Sequence, residues 1–90
     1  MTNGLASRRA AIELDVVSLP GVRALYPSSP LPGAPKVVIS EHGGAARCEL
    51  RIAVDGDVAA EDLIREVTVA VRRAAGDDAL ELHIELASID

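Results

Sequence analysis

The chain has 90 residues, a formal net charge of −5 from 14 acidic and 9 basic residues, and a hydrophobic fraction of 49% with Tyr26 as its one aromatic residue. This length provides one hydrophobic core, so we expect a single α+β domain over residues 1–90. The acidic balance argues against nucleic acids and anionic membrane surfaces as partners, because both are bound through clustered lysine and arginine.

Membrane insertion and secretion are not expected either. The sequence contains no run of about 18 apolar residues, the length needed to cross a bilayer. Near the N-terminus, Glu13 and Asp15 interrupt the region where a secretory signal requires an apolar segment. The single cysteine, Cys48, cannot form an internal disulfide. These features predict a reduced, cytoplasmic protein.

The first predicted element is a helix from Leu5 to Leu19. Its apolar residues recur at multiples of three and four and therefore share one stripe of a helix; they are Leu5, Ile12, Val16 and Leu19. Pro20 and Gly21 in "LPGV" end this helix. The next five residues, "VRALY" at 22–26, are predicted to form a short strand.

A proline-rich segment, "PSSPLPGAP" at residues 27–35, holds four of the five prolines. Proline cannot donate to a sheet ladder, so this segment is predicted to be a loop between two strands. A polyproline ligand for another domain is the alternative interpretation.

Two strands are predicted at "KVVISEH" (36–42) and "ARCELRIAVD" (46–55), and Gly43-Gly44 between them favours a tight hairpin. The second strand alternates with a period of two, which predicts one buried and one exposed face. The predicted core side consists of Cys48, Leu50, Ile52 and Val54, and the predicted exposed side of Arg47, Glu49, Arg51 and Ala53.

A second helix follows, with Asp57 predicted as its N-cap, its end near Ala75 and Gly76 as its terminator. Its apolar face comprises Ala60, Leu63, Ile64, Val67, Ala70, Val71 and Ala74. The last segment, "ALELHIELAS" at 79–88, alternates as a half-buried strand. The predicted order is α-β-β-β-α-β, in which two amphipathic helices pack on one face of a mostly antiparallel sheet.

The stretch "SEHGGAARCE" at 40–49 is the place to look for reactive chemistry. Cys48 and His42 could act there as nucleophile and base, or as zinc ligands. Neither interpretation is favoured, because Cys48 falls on the apolar side of its strand and the chain lacks Cys-x-x-Cys or His-x-x-x-His spacing. The two glycines also lack the Lys-Ser/Thr pair of a phosphate loop. We expect no catalytic residue, cofactor or metal.

The exposed sheet face is the predicted partner-binding surface. Its side chains have largely opposite signs on the two strands; the candidate residues are Arg47, Glu49, Arg51, Glu81, His83 and Glu85. If the strands are neighbours, cross-strand ion pairs form between them. The face is then either a solvated charge ladder or a docking surface for a protein partner.

The element order and the apolar pattern resemble the alkaline-shock family of bacterial envelope-stress proteins. The resemblance covers residues 12–89 and rests on "LPGV", "CELRIAV", the turn at Gly56, "LIREVTVAV" and "ELHIELASI". It implies a non-enzymatic, cytoplasmic interaction protein that contributes to cell-envelope homeostasis under stress. A small membrane protein would be its partner and would hold it at the inner face of the cell membrane.

Self-association is a further expectation, since an exposed final strand permits sheet extension between copies. The rival hypothesis is a small subunit or ligand-binding domain of an enzyme or other complex, which would use His42, His83 and Cys48 in a pocket.

Overall fold

The computed structural model describes residues 4–89. Over this range the order α-β-β-β-α-β is confirmed, with two helices and four strands. The helices are α1 (Leu5–Val17) and α2 (Ala60–Ala75), and the strands are β1 (Val22–Tyr26), β2 (Val37–His42), β3 (Ala45–Val54) and β4 (Glu81–Ile89).

The sheet is built around β3, which pairs with all three other strands. Strand β2 lies antiparallel to its first part and β1 antiparallel to its last part, with Ile39 opposite Cys48 and Leu25 opposite Ile52. Strand β4 lies parallel to β3 along the other side, with Leu82 opposite Cys48. This last pairing is parallel because α2 carries the chain back across the sheet before β4 begins, as a crossover connection must.

Both helices cover one face of the sheet and enclose the core. On α2, Leu63, Val67 and Val71 recur at four-residue intervals and are buried, and Ile12 and Val16 of α1 are fully buried. The predicted core side of β3 is confirmed, since it is buried throughout; its residues are Cys48, Leu50, Ile52 and Val54. Each buried aliphatic side chain contributes roughly 1.5 to 3 kcal/mol of transfer free energy.

Two predicted helix boundaries are wrong. Helix α1 ends at Val17 rather than Leu19, and Ser18 caps it through a hydroxyl that donates to the Leu14 carbonyl at 2.7 Å. The N-cap of α2 is Ala59 rather than Asp57, and no side chain caps it. The Asp57 amide instead donates to the Asp55 carboxylate at 2.9 Å, so the acidic pair forms a turn before the helix starts.

The predicted turns are confirmed. Gly43 and Gly44 connect β2 to β3 with φ angles of 60° and 85°, the left-handed conformation that a tight hairpin requires. Gly76 ends α2 at φ 67°, and the cap amides donate to the Arg72 and Arg73 carbonyls. Residues 27–35 form a loop closed by a hydrogen bond from the Ser28 amide to the Pro35 carbonyl at 2.9 Å.

The prediction that Ala53 is exposed is wrong. Ala53 does lie on the face away from the helices, opposite Ser88 of β4, but it is only 1% exposed. The hydroxyls of Tyr26 and Ser88 are 3.2 Å apart. Since Tyr26 belongs to β1 and Ser88 to β4, this hydrogen bond bridges β3 and covers the small Ala53 side chain.

Within residues 4–89 there is no helix long and apolar enough to span a membrane.

Candidate functional site: the open charged face of the sheet

The side of the sheet away from the helices, here called the open face, carries the six predicted partner-binding residues. The parallel register of β3 and β4 places them in three facing pairs: Arg47 with Glu81, Glu49 with His83, and Arg51 with Glu85. Side chains at alternate positions of neighbouring strands lie side by side. The structure therefore brings together all six residues that sequence alternation selected.

The strongest contact of this face joins Arg51 to Glu85. The Arg51 Nε atom donates to Glu85 Oε2 at 2.5 Å, and Arg51 Nη1 donates to the Pro27 carbonyl at 3.4 Å. The two charged side chains remain 44% and 53% exposed. Because water screens such a pair, it contributes about 0 to 1 kcal/mol to stability. The pair orients the arginine more than it stabilises the fold.

The second arginine makes looser contacts. Arg47 Nε lies 3.8 Å from Glu81 Oε1, which is beyond hydrogen-bond range, and Arg47 Nη2 lies 3.4 Å from His83 Nδ1. The Nε atom is shielded from solvent and has no hydrogen-bond partner among the described residues. Arg47 is therefore held by charge attraction to Glu81 and by its Nη2 contact with His83, while its shielded Nε donor stays unsatisfied.

Three residues at the borders of the open face were not among the site residues predicted from the sequence. Val38 of β2, with Ser28 beside it, lines a shallow recess of about 180 Å³ over Glu49 and His83. Tyr26 and the proline-rich loop border a wider, open groove of about 590 Å³ at the end of β4. The alternation of "VVIS" offered a signal for Val38, because Val37 is buried and its neighbour must face the other way.

The predicted burial of Cys48 is confirmed. Cys48 is 0% exposed, and burial, with a smaller effect of the Glu49 charge, raises the pKa of its thiol to about 11. A neutral thiol is a poor nucleophile and a poor metal ligand. His83 lies on the open face, whereas Cys48 points into the core, so these two residues do not share a site. The side chain of His42 lies outside the described part of the structure.

Metal-ligand geometry is also missing from the part of the chain that the structure describes. No group of three or more His, Cys, Asp or Glu side chains there is arranged to hold a metal ion. His83, the described imidazole, has the Arg47 guanidinium 3.4 Å from its Nδ1 atom. A cation in that position opposes the binding of a second cation.

No protein-family model and no curated protein sequence matches this chain. Solved structures do match its fold. The metal-bound C-terminal domain of the CzcD transporter from Cuprividus metallidurans superposes with a TM-score of 0.61 at 18% identity, over 86% of this chain and 96% of that domain. A triple variant of the MamM C-terminal domain gives a TM-score of 0.57 at 19% identity, over 96% of both chains. The copper form of the MamM domain gives 0.51 at 16% identity, over 99% of both chains.

These similarities correct the family suggested by the sequence. The resemblance to alkaline-shock proteins is wrong, because the structural neighbours are C-terminal domains of cation diffusion facilitator proteins. The error has a physical origin: an α-β-β-β-α-β order with alternating apolar residues is compatible with several α+β folds, and none of the quoted segments carries a residue set specific to one of them. At 16–19% identity the similarity establishes the fold alone. The chain has the α+β fold of the C-terminal domains of cation diffusion facilitator proteins.

Proposed function

We propose that this chain is a non-enzymatic accessory domain of a larger assembly and binds a protein partner through its open face. The observation that carries the proposal is the facing arrangement of the six charged and polar residues on the sheet side that the helices leave uncovered. On this face two arginines flank Glu49 on β3 and two carboxylates flank His83 on β4, so the face presents a defined charge pattern. Such a pattern confers specificity and correct orientation on a protein partner more than raw affinity.

The shape of the face favours a macromolecule over a small molecule. Small-molecule sites are concave and bury most of the ligand surface. Here the recess over Glu49 and His83 holds only about 180 Å³, and charged side chains share its walls with the apolar Val38. The buried thiol of Cys48 lies on the other side of the sheet, so the enzyme-subunit hypothesis lacks the pocket in which Cys48 and His83 would meet.

The structural neighbours are consistent with a role inside a larger protein or complex. The CzcD neighbour is the C-terminal domain of a transporter, and the two MamM neighbours are likewise C-terminal domains. The CzcD domain is metal-bound and one MamM domain is a copper form, but the residues described here do not fit a metal site. Metal binding is therefore not transferred to this chain. The stress-response and cell-envelope roles are not supported, whereas a cytoplasmic location and self-association stay predictions.

The first part of the test identifies a partner in contact with the open face. A photo-crosslinking amino acid replaces Glu49 on the open face or, as control, Glu66 on the exposed side of α2, in cells of the source organism. We expect a protein that crosslinks from position 49 and not from position 66. That protein is then purified and its affinity for the unmodified chain is measured.

The second part of the test reverses the charge pattern without removing the ion pair. The double variant Arg51→Glu/Glu85→Arg keeps a facing pair of opposite charges, so the fold should persist while affinity for the purified partner falls at least tenfold, or about 1.4 kcal/mol. The control Asp62→Arg/Arg65→Glu exchanges the 2.7 Å pair on α2 and should bind normally. Unchanged binding by the open-face variant, or equal losses in both, would contradict the proposal.

A further inference from the structure

We propose that the outer edge of β4 accepts an additional strand from the partner, and that this strand alternates basic with apolar residues. The inference rests on the proposed function, since it names the chemistry of the partner that the open face binds. It goes further because it states what each part of β4 contributes. The backbone of this edge strand provides the affinity for the partner strand, and its carboxylates select a partner strand with basic side chains.

The edge is available over the whole length of β4. The strand has nine residues, and within residues 4–89 it pairs only with β3. No backbone hydrogen bond from a described loop or helix reaches residues 81–89 on the other side. An edge strand presents a row of free amide and carbonyl groups, which is the template for binding an extended peptide.

Charge argues for a basic occupant. The segment 77–89 contains Asp77, Asp78, Glu81 and Glu85 and no lysine or arginine. Glu81 and Glu85 alternate along the open face, and an added strand would place its side chains directly opposite them. Lysines or arginines there would extend the existing ladder, so that each carboxylate lies between an arginine of β3 and a cation of the partner.

The same charges disfavour a second copy of this chain at the edge, and so argue against the sheet extension between copies that the sequence suggested. Antiparallel pairing of two β4 strands about His83 puts Glu81 of one copy opposite Glu85 of the other, and like charges across strands are destabilising. In any register, β4 of a second copy offers no lysine or arginine to face these carboxylates. Acidic edges of this kind suppress self-pairing in sheets.

The helix-facing side of β4 determines which side chains the partner strand carries between its basic residues. Leu82, Ile84 and Leu86 point towards the helices, pack against the core and stay only half-buried. Because β4 is an edge strand, an added strand would lie beside these side chains and cover more of their surface. Apolar side chains at every second position of the partner would therefore be buried, while the basic side chains between them face the open side.

The test uses a fluorescent peptide of nine residues, the length of β4, in which lysine alternates with valine. Binding to the full chain is followed by fluorescence anisotropy at fixed physiological salt. We expect saturable binding. The affinity for the peptide should fall at least tenfold in Glu81→Lys/Glu85→Lys and change little in the charge-matched control Glu61→Lys/Glu66→Lys on α2. Circular dichroism verifies that each variant is folded.

Two N-methylated peptides test the backbone contacts. Each carries methyl groups on alternate amides, one on the lysines and the other on the valines, so only one of them retains the amides that face β4. We expect one methylated peptide to bind with at least tenfold lower affinity and the other to bind with the affinity of the unmethylated peptide. Equal behaviour of the two methylated peptides, equal losses in both charge variants, or a Kd weaker than about 1 mM would overturn the inference.

The outcomes separate this inference from the proposed function. If the crosslinked partner responds to Arg51→Glu/Glu85→Arg but the peptide neither binds nor competes with it, strand addition fails and the open face remains the binding surface. If neither the partner nor the peptide responds to changes on this face, both proposals fail.

Discussion

Replacement of Gly21 by alanine tests how the end of α1 is joined to the sheet. Gly21 has a φ angle of 95°, and its carbonyl accepts a hydrogen bond of 2.8 Å from the Asp55 amide at the end of β3. A Cβ atom at this position would lie 3.0 and 3.2 Å from the two methyl groups of Val58. Gly21→Ala therefore introduces both backbone strain and a steric clash.

The expected cost follows from these two terms. A non-glycine residue in a sparsely populated conformation costs about 1 to 3 kcal/mol, and overpacking adds about 1 to 3 kcal/mol. We expect the free energy of unfolding, measured by urea titration with far-ultraviolet circular dichroism, to fall by about 2 to 6 kcal/mol. A loss of this size is a large fraction of the stability of a small domain.

Gly76→Ala is the matched control, because Gly76 has a φ angle of 67° and nothing within 4 Å of its added Cβ. It should cost only the roughly 1 to 2 kcal/mol of a left-handed alanine. The double variant Gly21→Ala/Val58→Ala removes the clash and should show a favourable coupling energy in a double-mutant cycle. Equal costs for the two single glycine variants, together with zero coupling, would refute the packing argument.

Three further predictions concern the core and the open face. The pKa of the Cys48 thiol is about 11 in the folded protein, above the ordinary 9.0. As the pH rises from about 9 towards 11, the unfolded chain loses the thiol proton before the folded chain does, which favours unfolding. Over this pH range the free energy of unfolding should fall by about 1 to 3 kcal/mol more than it does in Cys48→Ala. The native thiol should also react with an aromatic disulfide only at the rate of unfolding, and fast labelling at neutral pH would contradict its burial. Val67→Ala, at a site 0% exposed in the centre of α2, should cost about 1 to 3 kcal/mol in urea titration, whereas Val69→Ala, at a site 54% exposed, should cost less than about 0.5 kcal/mol. Glu85→Ala should cost no more than about 1 kcal/mol because its partner Arg51 remains solvated, and a larger loss would mean that the pair is structural.

Hydrophobic periodicity was sufficient to predict most of the fold. The alternation of "CELRIAV" determined which side of β3 faces the core, and the four-residue repeat of Leu63, Val67 and Val71 determined the buried face of α2. The helix ends were harder to predict, because the Asp57 amide binds the Asp55 carboxylate and the polar residue nearest to α2 is used in a turn. Local hydrogen bonds of comparable strength compete there, and sequence patterns do not rank them.

The residues of the open face were predictable, but their surroundings were not. Alternation places Arg47, Glu49 and Arg51 on one side of a strand whatever the strand pairs with. The burial of Ala53 depends on Tyr26 and Ser88, which are 62 positions apart in the chain and meet only in the folded sheet. Contacts at such separation follow from strand order, and the order of β1, β2 and β4 around β3 is a property of the packed core.

The parallel pairing of β4 with β3 explains why a charge ladder of little energetic value nevertheless has a defined register. A slip of one residue would move Glu81 and Glu85 to the helix side and expose Leu82 and Ile84, since side chains alternate with a period of two. Each aliphatic side chain contributes roughly 1.5 to 3 kcal/mol on burial, against about 0 to 1 kcal/mol for an exposed ion pair. The core therefore dictates the register, and the ladder follows from it. Because folding does not depend on the ladder, its charges can be exchanged without unfolding the domain, and their arrangement is free to serve recognition.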